Sequence, residues 1–101
     1  MAPKFLKYEG IEVGFYSNDH LPIHVHCNYG EYEIKVEFYL KNKEIVKIAY
    51  VKVANSQEFP SSKLKTLKQL IEKYKYIIVQ NWISFYVLGE KISAIKVSKI
   101  K

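Results

Sequence analysis

The sequence predicts an α+β domain: an antiparallel sheet of four to five strands with one long or kinked helical segment packed on one face. Three observations carry this. From Ile11 to Phe38 apolar residues recur at every second position, the spacing of half-buried strands. Short stretches rich in Asn, Asp, Gly and Lys interrupt them, as chain reversals require. After Pro60 the apolar spacing changes to steps of three and four, which is helical. A chain of 101 residues supports one hydrophobic core, so residues 1–101 read as a single domain.

Ile11, Val13 and Phe15 alternate with other residues and form the first strand, opened by Gly10. "SNDHLP" follows, and its Ser17, Asn18, Asp19 and Pro22 favour a turn. In the next strand Ile23, Val25, Cys27 and Tyr29 share one side, with His24, His26 and Asn28 on the other. Asn28-Tyr29-Gly30 reads as a hairpin turn into "EYEIKVEF", where Tyr32, Ile34, Val36 and Phe38 point inward and Glu31, Glu33, Lys35 and Glu37 outward. One dry face and one wet face suit an antiparallel sheet. Lys41-Asn42-Lys43 turns the chain into "EIVKIAYVKV", a strand whose broken alternation implies a β-bulge.

Leu64, Leu67, Ile71, Tyr74 and Ile78 line one side of a helix that Ser61 or Ser62 is placed to cap. "YIIVQNWISFYVLG" either continues this helix to Gly89 or starts a second one after a kink near Lys75. Apolar residues on all sides of this segment imply deep burial or a partner surface. Tyr74, Tyr76, Trp82, Phe85 and Tyr86 exceed what one small sheet is expected to cover, which points to a small protein partner or a homo-oligomer. "ISAIKVSKI" reads as a short strand or a tail docked on the sheet.

No apolar run is long enough to span a bilayer and Met1 to Gly10 lacks the pattern of a secretory signal, so the expected location is cytoplasmic. The single cysteine, Cys27, rules out an internal disulfide and any zinc site built on two or four cysteines. A formal charge of +6 favours RNA, DNA or another acidic partner. All sixteen basic residues are lysine, however, and planar bidentate recognition of phosphate or guanine favours arginine. A solvated lysine-rich surface explains the excess equally well.

"DHLPIHVH", residues 19 to 26, holds all three histidines of the chain. His24 and His26, two apart on a strand, project to one face with about 7 Å between their Cα atoms. A reversal at Pro22 would return His20 beside them. Three readings follow. The imidazoles of His20, His24 and His26, with Asp19 or Glu31 as a carboxylate ligand or orienting group, suit a divalent metal such as zinc. The same three are suited to act as general acid and base on RNA, with Lys35 or Lys47 steadying the phosphate. Alternatively His20 and His24 cap backbone groups at the turn while His26 lies on a strand face. Whether the chain is an enzyme stays open between these. H-x-H also opens the cupin metal motif, but no second half-motif is present and about a quarter of the chain reads as helix, so a cupin barrel is not expected.

"DHLPIHVHCNYGEYEIKV" resembles the signature of the bacterial family called domain of unknown function 4160, a strand followed by Asp-His-x-Pro-Pro-His-Phe-His-Ala and a Tyr-containing strand pair. The helix after a proline and the pair Asn81-Trp82 extend the likeness over roughly residues 10 to 97. Ile23 stands where the second proline is usual, Val25 for the phenylalanine and Cys27 for the alanine, while Asp19 and all three histidines are retained. The resemblance implies a small bacterial domain encoded beside another short protein, an arrangement similar to toxin-antitoxin pairs. It brings no reaction with it.

Overall fold

Alternation and turn chemistry resolve into a five-stranded sheet, all neighbours antiparallel and in chain order β1-β2-β3-β4-β5, followed by one helix. The computed structural model describes residues 4–15, 22–53, 57–89 and 97. Asp19, His20 and most of the "SNDHLP" turn lie outside these, as does "ISAIKVSKI" apart from Val97, which is half-buried against the core.

The strands are β1 (Lys4–Tyr8), β2 (Ile11–Gly14), β3 (Ile23–Tyr29), β4 (Tyr32–Lys41) and β5 (Glu44–Lys52), and the helix is α1 (Ser61–Tyr86). β1 was not foreseen; it adds a strand at the N-terminal edge of the described sheet. Its hairpin to β2 turns on Glu9 and Gly10, both at positive φ (49° and 83°), between the paired Tyr8 and Ile11. Two left-handed residues make the turn whose twist matches its strands. At Gly10 a Cβ would also stand 2.9 Å from Cε1 of Tyr29. Gly10→Ala is therefore expected to lose at least roughly 1–2 kcal/mol from the backbone alone, read as a lowered urea midpoint with an unchanged m-value.

The second hairpin turns on Gly30-Glu31 between the paired Tyr29 and Tyr32, two residues later than the expected start of the turn at Asn28. The third turns on Asn42-Lys43. In β5 the expected bulge is present: Tyr39 pairs with Lys47 but Leu40 with Ile45, so Val46 is the extra residue, exposed on the strand.

One face of the sheet carries Ile11, Val13, Val25, Cys27, Val36 and Phe38, all essentially inaccessible to water. α1 covers it with Leu67, Leu70, Ile71, Tyr74, Ile78, Val79 and Trp82. No proline or glycine interrupts residues 61–86, and the helix runs through Lys75 as one element, without the second helix. Pro60, not a serine, occupies the N-cap position, and no side chain caps there. Beyond the C-terminus the Leu88 and Val87 N–H groups donate to the Ile83 carbonyl and Gly89 takes a left-handed φ of 69°, the stop expected of it. Lys63 fastens the start of α1 to the first hairpin: its Nζ donates to the Glu9 carbonyl at 3.1 Å and lies 5.0 Å from the Tyr29 ring centre.

The aromatic excess is smaller than the sequence suggested. Tyr74 and Trp82 are buried, and Phe85 and Tyr86 pack half-buried against the core around Phe15, leaving Tyr76 as the exposed member. The end of the 26-residue helix joins an aromatic cluster with Phe5 of β1 and Phe15.

Candidate functional site

The period of two that sends Val25 and Cys27 to the core sends His24 and His26 to the other face of β3. Both are well shielded, His24 at 6% residue exposure and the His26 side chain at 12%. Their rings meet edge to face with centroids 5.2 Å apart and planes at 72°. The expectation that alternation aims both imidazoles the same way is met for this pair, while the place of His20 and Asp19 lies outside the described residues.

Each ring has an oxygen against Nδ1. In His24, Nδ1 lies 2.8 Å from the Pro22 carbonyl oxygen. A carbonyl only accepts, so Nδ1 carries the proton and the lone pair of the neutral ring is on Nε2. In His26, Nδ1 lies 3.5 Å from Oε2 of Glu33. The Pro22 carbonyl thus sets the orientation and tautomer of His24, whether the ring then serves as a base, an acid or a ligand, while both ring nitrogens of His26 are buried.

β4 supplies the remaining groups. Its register sets Glu37 opposite His24 and Lys35 opposite His26, so Glu33, Lys35, Glu37 and Tyr39 lie on the histidine face. Lys35 Nζ is 3.2 Å from Oε2 of Glu37, and the Tyr39 hydroxyl donates to Oε1 at 2.6 Å. The Tyr39 hydrogen bond, then the hydrogen bond and charge of Lys35, with a smaller share from His24, hold the Glu37 carboxyl below the usual carboxylate range against the opposing effect of burial. That same hydrogen bond pushes the Tyr39 phenol up. Lys47 approaches the Tyr39 ring at 5.5 Å rather than a histidine, and Glu31 sits exposed in the hairpin turn. Among the described residues Lys35 stands across the strand from His26 and Glu37 across from His24, with the Glu33 carboxylate 3.5 Å from the His26 ring.

The Glu37 linkage has a defined sign. A depressed carboxyl contributes stability at pH values above its unfolded pKa, and this is lost as pH falls through the folded value. Tyr39→Phe removes the largest cause. The variant is expected to be less stable than the parent at neutral pH, with the gap closing on acidification below the ordinary carboxylate range. Urea midpoints at pH 7 and pH 3 check this; a gap that stays constant with pH would refute the linkage.

Cys27 stands on the opposite, helix-covered face, fully buried, where desolvation pushes its thiol far up. It is not a ligand for the histidine face. Among the described residues no three His, Cys, Asp or Glu side chains converge on a position for a metal ion, and no described helix is long and apolar enough to cross a membrane.

Glu33, Glu37 and Tyr39 were not read as site residues from the sequence. The signal for them was the hairpin: once Tyr29 opposes Tyr32, residues 24 and 26 must oppose 37 and 35. Compared with known proteins, residues 10–83 match the model of a family described as Domain of unknown function (DUF4160). No curated protein and no solved structure matches the chain.

Proposed function

Because the chain belongs to the DUF4160 family, a domain of unknown function, its chemistry has to be argued from its own side chains, and we propose that the histidine face binds and cleaves single-stranded RNA. The observation that carries this reading is the His24–His26 pair, two imidazoles 5.2 Å apart with oxygens at Nδ1 and Lys35 across the strand from His26. His24 Nε2 takes the proton of a ribose 2′-hydroxyl as its oxygen bonds to the adjacent phosphorus. The bond from phosphorus to the 5′-oxygen breaks, and His26, whose ring nitrogens are buried in the free chain and are uncovered as RNA binds, gives that oxygen a proton. The products are a 2′,3′-cyclic phosphate and a 5′-hydroxyl. Lys35 supplies positive charge where the phosphorane gains negative charge.

The test is incubation of the purified chain with 5′-labelled single-stranded RNA in the presence of a chelator. The expected outcome is strand cleavage leaving cyclic phosphate ends, slowed by added salt as phosphate contacts are screened. RNA that stays intact would end this reading.

In the cell this activity would need restraint, which fits one component of a two-protein module of the toxin-antitoxin type. Exposed Tyr76, Ile77, Val87 and Leu88 on and just beyond the later half of α1 give a small protein partner, or a second copy, a place to bind. A strictly monomeric chain that does not co-purify with the product of a neighbouring gene would count against that part.

One observation favours a second reading. The Pro22 carbonyl at Nδ1 of His24 leaves the lone pair on Nε2, the arrangement that supports a metal-ligating histidine, and the Glu33 carboxylate stands 3.5 Å from His26 Nδ1. His24 and His26 would then be two ligands for zinc or a similar ion, completed by His20 and Asp19. Stoichiometric zinc in untagged protein, lost on His24→Ala, would select this reading over the first.

A further inference from the structure

The outward side of α1 changes character halfway along. Residues 61–75 carry Lys63, Lys65, Lys68, Lys73 and Lys75 against a single acid, Glu72, whereas residues 76–89 contain no charged side chain. Lys75 marks the border: its Nζ lies 3.1 Å from Oε1 of Glu72 and 5.6 Å from the Tyr76 ring centre. Past that point Tyr76, Ile77, Val87 and Leu88 are exposed, in a chain whose formal charge is +6. A neutral apolar strip on so basic a surface is the mark of a contact face.

Spacing and charge decide what covers it. Tyr76, Gln80, Ile83 and Val87 follow one another by four, three and four residues, the recurrence of the d and a positions along a two-helix seam. Tyr76, Gln80 and Val87 are exposed, and Ile83 is half-buried. A second copy of α1 laid parallel would set the five lysines of each chain side by side. An antiparallel copy overlapping only residues 76–88 sends the two lysine-rich halves away from each other. In that register Tyr76 meets Val87 of the second copy and Gln80 meets its Ile83, large against small, about a two-fold axis between residues 81 and 82. The flanking Ile77 and Ser84 carry no charge, whereas charged flanks are what select a foreign helix over a like one.

We propose that this strip is the interface of a homodimer, two copies of α1 packed antiparallel through Tyr76, Gln80, Ile83 and Val87. The choice of this strip rests on the partner reading of α1 given above, not on the RNA chemistry.

Sedimentation equilibrium of the full chain over a range of concentrations is expected to show a reversible monomer–dimer equilibrium. Val87→Lys puts an unpaired charge at both ends of the symmetric seam and should raise the dimer dissociation constant about 100-fold, a roughly tenfold loss counted twice. Gln80→Leu should tighten the dimer, since an amide in such a seam costs stability. Both residues are exposed, so dilute samples of either variant should melt near the parent. Direction is read from oxidative cross-linking, because Cys27 is buried: Tyr76→Cys mixed with Val87→Cys should link faster than either variant alone. A monomer at every concentration, a dimer indifferent to both Val87→Lys and Gln80→Leu, or faster linking of Val87→Cys to itself would overturn the proposal. A monomer that binds the product of a neighbouring gene through these residues would overturn it and leave the two-protein reading standing. A dimer with the expected responses, in a sample that leaves RNA intact, would support the interface and remove only the RNA reading.

Discussion

His26→Ala is expected to lower the rate of RNA cleavage by about 10²–10⁴-fold, the usual contribution of a positioned general acid. The ring is shielded and sits between Glu33 and His24, so nothing else among the described side chains takes its place between those two. His26→Asn keeps a polar side chain of similar length and separates the chemistry from folding: it should melt near the parent and still be inactive. His24→Ala should lose activity to a similar extent and also some stability, since it leaves the Pro22 carbonyl without its donor, a deficit of about 1–3 kcal/mol if no water replaces it. Because the two rings act on one reaction, the double variant should be little slower than either single one. The pH profile of the parent should be bell-shaped, since one ring must be neutral and the other protonated. Activity that survives in His26→Asn would remove this ring from the chemistry.

Phe15→Ala is expected to have the largest effect on stability, about 3–5 kcal/mol. Phe15 follows β2 and is almost wholly buried, with its ring centre 4.6 Å from that of Phe5, 5.6 Å from Tyr86 and 6.0 Å from Phe85. It joins β1, β2 and the end of α1. No single neighbour can swing into the vacated space without leaving another gap, so the cavity persists. For a domain whose total stability is on the order of 5–15 kcal/mol, the loss should lower the thermal midpoint by at least ~12 °C. A change under about 1 kcal/mol would mean that the aromatic cluster collapses onto the void, in the way tolerant cores do.

The two strands that carry the histidines and their partners were legible because each keeps one dry side. Ile23, Val25 and Cys27 on β3 and Ile34, Val36 and Phe38 on β4 are the buried sets that alternation implies. The helix was legible from Leu67, Ile71, Tyr74 and Ile78. β1 was not. "KFLKY" has its apolar residues adjacent rather than alternating, and the bulge between Lys4 and Leu6 is what allows both Phe5 and Leu6 to be buried. Its turn was also silent, since Glu9 is a poor herald of a left-handed residue. Serine capping of α1 failed because Pro60 already begins the turn and places Ser61 and Ser62 inside the helix. At the candidate site the shared direction of His24 and His26 follows from strand geometry within one segment. The roles of Glu33, Glu37 and Tyr39 depend on cross-strand register, set by a two-residue turn at Gly30-Glu31 that local composition had placed nearer Asn28.

Cys27 lies on β3 between β2 and β4, opposite Val13 on one side and Ile34 on the other, beneath α1. With one thiol in the whole chain, held at the centre of the sheet and protonated, the molecule carries its own unfolding reporter. A thiol-reactive dye can label it only when the strands separate from the helix, so the labelling rate measures how often the interior opens. Compounds or partners that clamp the sheet will slow that reaction in proportion to how tightly they hold it shut.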